Sequence, residues 1–150
     1  MGERSSWKAF IIDMEPKRIL IIDDDLFVSD LYSLELQKAG FIVTTAGGGE
    51  LGLSKMQLEK PDVVLLDIAM PVMDGLTVLG IVRQNPEYNN VKVMMLTNIR
   101  DEETIRLGLD RGADGYLLKT SLTPAQVAEE VQKILVPVST PPFENKTPNV

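Results

Sequence analysis

Arg18-Ile19-Leu20-Ile21-Ile22-Asp23-Asp24-Asp25 holds four consecutive aliphatic residues that run straight into three carboxylates. An unbroken apolar run suits a strand covered on both faces, as in a parallel sheet, better than a strand with one wet side. Asp62-Val63-Val64-Leu65-Leu66-Asp67 repeats the pattern. Val91-Lys92-Val93-Met94-Met95-Leu96-Thr97 and the short Gly115-Tyr116-Leu117-Leu118, closed by Lys119, are two further versions. Each run ends in a polar side chain able to carry chemistry.

Between these runs the spacing turns helical. Asp25 is placed to cap a helix in which Val28, Leu31, Leu34 or Glu35, and Ala39 trace one core-facing stripe, with Gly40 as its stop. Residues 41–46 read as a second strand. Residues 47–60 read as a helix opened by glycines and kept from the next strand by Pro61. Two more helices are expected over residues 75–84 and 101–111. Thr123-Pro124-Ala125-Gln126 is a capping box with proline at the first helical position, and it starts a fifth helix carrying Val127, Val131, Ile134 and Leu135 toward the core. Strands alternating with helices are βαβ units with right-handed crossovers. The expected fold is therefore α/β: a doubly wound, five-stranded parallel sheet in the order 2-1-3-4-5, in a flavodoxin-like three-layer sandwich. Ligands of such sheets bind beyond the carboxyl ends of the strands, near the switch point between the first and third. That is where Asp23, Asp24, Asp67, Thr97 and Lys119 fall.

The chain has 150 residues, one domain's worth, with 44% apolar and 25% charged residues, which excludes a disordered, collagenous or coiled-coil chain as a whole. Residues 17–136 read as the domain. Residues 1–16, without sustained periodicity and closing on Pro16, read as a flexible leader; residues 137–150, with four of the nine prolines, read as a disordered tail or linker. Met1-Gly2-Glu3-Arg4-Ser5-Ser6 fits the permissive N-myristoylation pattern, with a plain leader as the ordinary reading. Residues 7–12 are too short and interrupted for a signal peptide, and no run is long enough to span a membrane, so a soluble, cytoplasmic protein is expected. Fifteen Lys and Arg against 22 Asp and Glu give a net charge of −7, which argues against direct nucleic-acid binding and for holding a cation.

The chain contains no Cys and no His. Thiol catalysis, disulfides, imidazole bases and nearly every usual zinc site are thereby excluded, and carboxylates must carry the chemistry. Asp23, Asp24 and Asp67 converging from adjacent strand ends would repel one another by about 4 kcal/mol per pair at ~4 Å and an effective dielectric near 20. A cation among them is required. Hard oxygen ligands with room left for water and a phosphoryl group favour Mg²⁺ over Ca²⁺. Lys119 and Thr97 supply a fixed charge and a hydroxyl donor for phosphoryl oxygens. The attacking atom would be a carboxylate oxygen, giving an aspartyl phosphate.

At this point the chain resembles the receiver domain of two-component response regulators, the chemotaxis-regulator type. The resemblance is carried by Asp23-Asp24 after an aliphatic strand, by LLDIAMPVMDG over residues 65–75, by the strand ending at Thr97, and by GADGYLLK over residues 112–119. It implies that Asp67 accepts a phosphoryl group from a sensor histidine kinase, a phosphotransfer protein or a small acyl phosphate, with no catalysis beyond its own phosphorylation and dephosphorylation. It implies that Asp24 binds Mg²⁺ directly, Asp23 mostly through water, and Ala69 through its backbone carbonyl. Lys119 would contact the phosphoryl group, Thr97 would swing to bond it, and Tyr116 would turn inward with Thr97. The output would be a protein contact, with an unnamed partner or with a second copy as a dimer.

Three departures from the family pattern bear on detail. Thr120 stands where the family usually has proline, commonly in a cis peptide. Asn98 follows Thr97 where a smaller residue is usual. Ala69 and Ile99 offer no carboxylate or amide to position an attacking water, so a long-lived phosphoryl state is expected. Two other chemistries compete. Gly47–Gly52 fits GxGxxG before a helix, with Asp67 twenty residues beyond the first glycine, as a dinucleotide site would have. Asp23-x-Asp25 fits a haloacid-dehalogenase-like phosphatase, with Asp23 as nucleophile and Asp25 as general acid. The plainer readings make Asp25 a helix cap, Asp74-Gly75 a helix-opening turn, and Met70, Met73, Met94 and Met95 packing residues.

Overall fold

The computed structural model describes residues 15–135. The lipidation pattern, nearly all of the leader and the whole of the proline-rich tail lie outside them. In chain order the elements are β1 Arg18–Ile22, α1 Leu26–Lys38, β2 Ile42–Ala46, α2 Gly49–Glu59, β3 Val63–Leu66, α3 Gly75–Gln84, β4 Lys92–Thr97, α4 Glu102–Asp110, β5 Gly115–Leu118 and α5 Pro124–Leu135. One short 3-10 turn, Pro86–Tyr88, was not read from the sequence; Asn85 starts it by accepting from the Glu87 N–H.

The strands form one parallel sheet in the order β2-β1-β3-β4-β5. Alternate strand residues face opposite layers. Leu20, Ile22, Val64, Leu66, Val93 and Met95 pack with Met56 of α2 and Val78, Leu79 and Val82 of α3. Ile19, Ile21, Val63, Leu65, Met94, Leu96 and Leu117 pack with α1 and with Val127, Ala128 and Val131 of α5. Because every residue of β3 is buried, the unbroken apolar run reports a strand with helices on both faces.

The helix ends follow their sequence signals. Asp25 accepts from the Val28 N–H, Asp74 from Thr77 and Asp101 from Thr104. Thr123 and Gln126 exchange the reciprocal bonds of the capping box. Gly40 sits at φ +98, the left-handed conformation that a helix stop demands and that glycine adopts without strain.

One expectation fails. The buried face of α1 is Ser29, Tyr32 and Leu36, while Leu31 and Leu34 point to solvent. The stripe read from the sequence followed the aliphatic residues, but the helix turns a serine and a tyrosine to the sheet and leaves leucines outside. The Ser29 hydroxyl is buried with no hydrogen-bond partner among the described residues. The GxGxxG reading also loses two of its glycines to packing. A Cβ on Gly52 would meet Ile22 Cδ1 at 2.5 Å, and one on Gly49 would meet Val78 Cγ2 at 2.9 Å, so both let α2 lie close against its neighbours.

Candidate functional site

The sheet register builds the site. Ile22 pairs with Leu66 across β1 and β3, so the next residues, Asp23 and Asp67, leave neighbouring strands side by side. The Asp67 N–H donates to the Ile22 carbonyl at 3.0 Å, and the Asp23 N–H to Ala46 at 3.0 Å. Thr97 pairs with Leu118, and the Lys119 N–H donates to the Thr97 carbonyl at 2.9 Å, which delivers Lys119 to the same end of the sheet.

Three carboxylates meet there. Asp23, Asp24 and Asp67 each place an oxygen within 4.8 Å of the others. Asp23 and Asp67 are buried and Asp24 is exposed, so the pocket has a closed floor and an open mouth. The Lys119 ammonium donates to Asp23 Oδ2 in a very close pair and to Asp67 Oδ2 at 3.3 Å. The other oxygens are tied to backbone: Asp23 Oδ1 accepts from Asp25 N–H at 2.9 Å and Asp67 Oδ1 from Ile68 N–H at 2.8 Å.

Burial pushes the Asp23 carboxyl up from its usual range, against the pull of the Lys119 ammonium and the Asp25 N–H. Burial also works to lower the Lys119 ammonium, but its bond to Asp23 and the charges of Asp67 and Asp23 outweigh that and leave it above its ordinary range. The lysine is therefore a fixed cation. It offsets only part of the acidic charge, and the hard-oxygen donor set that remains fits Mg²⁺.

Thr97 is buried, and its hydroxyl lies 3.4 Å from the Ile99 N–H. Tyr116 is half-buried against the α2–α3 core, and its hydroxyl donates to the Ile99 carbonyl at 2.8 Å. Thr97 and Tyr116 thus hold the same short stretch of the β4–α4 loop, one from each side. Ala69 and Asn98 are exposed. No peptide bond among the described residues is cis, so Lys119–Thr120 is trans.

Sequence reasoning missed three contributors. Gly75 starts α3 so close beneath the acceptor strand that a Cβ there would stand 2.0 Å from the Asp67 carbonyl oxygen. Only the Asp-Gly pair hinted at it. Tyr32 is buried, and burial raises its phenol, with Lys119 opposing and Asp23 and Asp67 reinforcing, so its ring lies within electrostatic reach of the pocket. Nothing in the sequence marks that tyrosine. Val72 holds φ +72 in the β3–α3 loop, where the Met73 N–H bonds back to Pro71 O at 2.8 Å. Positive φ in a β-branched residue is strained and is found most often beside functional sites.

The phosphatase alternative does not fit this arrangement. Asp25, which it needs as general acid, is spent on the α1 cap, while Asp67, for which it has no role, sits at the centre.

A family model for the response regulator receiver domain matches residues 19–132. The chain belongs to that family. The receiver domain is 38% identical over 120 residues to the alkaline phosphatase synthesis transcriptional regulatory protein PhoP of Bacillus subtilis, a match covering 79% of this chain and 48% of that one. It spans about half the length of the curated relatives it matches. Among solved structures, the Vibrio cholerae chemotaxis protein CheY4 superposes with a TM-score of 0.75 at 32% identity, covering 81% of this chain and all of that one. CheY from the Borrelia burgdorferi CheX-CheY-BeF3-Mg²⁺ complex superposes with a TM-score of 0.73 at 31% identity, covering 81% of this chain and 90% of the other. Receiver domains of this family act in phosphorelay signalling as phosphoacceptor switches. No helix among the described residues is long and apolar enough to cross a membrane.

Proposed function

We propose that Asp67 is the phosphoacceptor and that residues 17–136 form a cytoplasmic switch charged by a histidine kinase, a phosphotransfer protein or a small acyl phosphate. The observation that carries this reading is the Lys119 ammonium lying against both Asp23 and Asp67. Asp67 Oδ2, on the Lys119 side, attacks phosphorus; an O–P bond forms as the donor's N–P or O–P bond breaks, and the leaving group departs with that electron pair. Lys119 and the Thr97 hydroxyl then hold two of the three phosphoryl oxygens. Asp23, Asp24, Asp67 and the Ala69 carbonyl would hold Mg²⁺, which when bound neutralises charge on the phosphoryl oxygens.

The new dianion supplies differential binding energy to Thr97 and Lys119. Drawn toward it, the Thr97 hydroxyl leaves Ile99, and the loop whose carbonyl Tyr116 holds is free to reset. That couples the pocket to the surface of α4, β5 and α5, where an output protein or a second copy would bind. Because the matched relatives are about twice as long and several are DNA-binding regulators, a nucleic-acid output would act through a further domain and not through this acidic one.

Acetyl phosphate with Mg²⁺ tests the assignment. A hydroxylamine-sensitive label on Asp67, absent from Asp67→Asn, is expected by mass spectrometry. A label on Asp23 would instead revive the phosphatase chemistry.

A further inference from the structure

The outer face of α1 is apolar, and no other described element covers it. Phe27, Leu31 and Leu34, at i, i+4 and i+7, lie on one stripe and are 73%, 43% and 51% exposed. These are large side chains on a helix whose opposite face already packs on the sheet through Tyr32 and Leu36. Such a stripe has no role in the fold.

The segment ahead of the domain has matching character. Residues 7–14, Trp-Lys-Ala-Phe-Ile-Ile-Asp-Met, are apolar at six of eight positions. Trp7, Ile11 and Met14 have the same i, i+4, i+7 spacing as Phe27, Leu31 and Leu34, each twenty residues earlier. Eight residues are too few to hold a helix alone, so any order in them must come from packing on something else.

The exit point puts α1 within reach. The Lys17 carbonyl accepts from the Ile42 N–H at 3.0 Å, and Ile42 follows the end of α1 by four residues. From Lys17, three extended residues reach about 10 Å, more than the ~6 Å of helix between Lys38 and Leu34. From there seven helical steps cover about 10 Å, the same as the rise from Leu34 to Phe27.

We propose that residues 7–14 lie along the outer face of α1, parallel to it, with Trp7 beside Phe27, Ile11 beside Leu31 and Met14 beside Leu34. The segment is an intramolecular cover for an interaction surface that ends at the lip of the acidic pocket, since Phe27 lies two residues beyond the Asp25 cap. The proposal stands on the α1 face and takes nothing from the phosphoryl chemistry.

Trp7 is the chain's only tryptophan, so its fluorescence reports this contact directly. In the full 150-residue chain the expected result is emission shifted to the blue of the urea-unfolded chain, with a several-fold smaller acrylamide quenching constant, unchanged on dilution. Phe27→Glu and Leu31→Glu, both at exposed positions, and Met14→Asp on the segment itself should each return both readings toward the unfolded values while circular dichroism and Tm hold. Trp7 quenched in the wild type as in the unfolded chain would overturn the proposal. So would protection that survives Phe27→Glu, which would place the segment elsewhere, or protection lost on dilution, which would make a second copy the occupant.

Discussion

Replacing Lys119 with methionine should tighten Mg²⁺ binding while removing phosphoryl acceptance. The ammonium contacts Asp23 and stands 3.3 Å from Asp67, two of the three carboxylates whose oxygens lie within 4.8 Å of one another. An ion bound ~2.1 Å from those oxygens lies roughly 5 Å from the lysine nitrogen. A charge of two and a charge of one at that separation repel by about 7 kcal/mol at an effective dielectric of ~20 and about 2 kcal/mol at ~80. Asp24 is exposed at the mouth, and water and salt there screen the pair, so the lower figure applies. That is roughly a 30-fold gain in affinity. Calorimetric titration of Mg²⁺ into wild type, Lys119→Met and Lys119→Arg measures it, the arginine variant retaining the repulsion. Unchanged or weaker Mg²⁺ binding by Lys119→Met would refute the picture of lysine and metal sharing one set of carboxylates.

Other outcomes follow from the same geometry. Asp23 titrates above its ordinary value, so the folded chain gains from the proton it holds at low pH and loses that contribution as pH rises through the folded value. Mg²⁺ needs the ionised form, so the rise in Tm that Mg²⁺ produces should grow as pH increases from the ordinary carboxylate range toward neutral, the Lys119 ammonium staying charged throughout; a pH-independent rise would count against it. Gly75→Ala sets a Cβ 2.0 Å from the Asp67 carbonyl and should cost about 3 kcal/mol in urea unfolding and slow labelling of Asp67. Gly80→Ala, in the same helix with open space around it, should stabilise by ~0.5–1 kcal/mol. Ala69→Asn offers an amide to an attacking water at the pocket mouth, and loss of the phosphoryl group after donor removal should become several-fold faster. A wild-type phosphoryl half-life already in the range of seconds would contradict the long-lived state read from Ala69 and Ile99.

The sheet was legible because burial on both faces leaves a simple trace. Ile19–Ile22, Val63–Leu66 and Val93–Leu96 are apolar at every position, and no amphipathic helix or one-sided strand produces that run. Right-handed, short crossovers narrow the strand orders to a few doubly wound ones, and the observed order together with its register brings Asp23 beside Asp67. The helices carried weaker information. A helix on a sheet buries one narrow stripe, and aliphatic residues on both sides of α1 made two stripes compatible with its sequence. Spacing favoured the one through Leu31 and Leu34; packing chose Ser29, Tyr32 and Leu36. Side-chain roles set by tertiary placement were equally silent, since Gly75 matters through its close approach to Asp67 and Tyr32 through its burial, neither through periodicity.

The pocket joins fold and function through one charge. Three converging carboxylates would open the switch point by mutual repulsion, and in the absence of metal the Lys119 ammonium is what offsets them. A cation held by Asp23, Asp24 and Asp67 would offset them in the lysine's place, and a phosphoryl dianion on Asp67 would offer the lysine a new partner. Lysine exchange of this kind would move a buried charge without leaving it unpaired, so the receiver domain would change state at modest cost. The Thr97–Ile99–Tyr116 contacts lie one strand away, where a dianion drawing on the threonine hydroxyl would be felt directly. The surface that would report the chemical state is accordingly the one formed by α4, β5 and α5; α1 packs beside α5 on the same face of the sheet, with its exposed stripe turned outward.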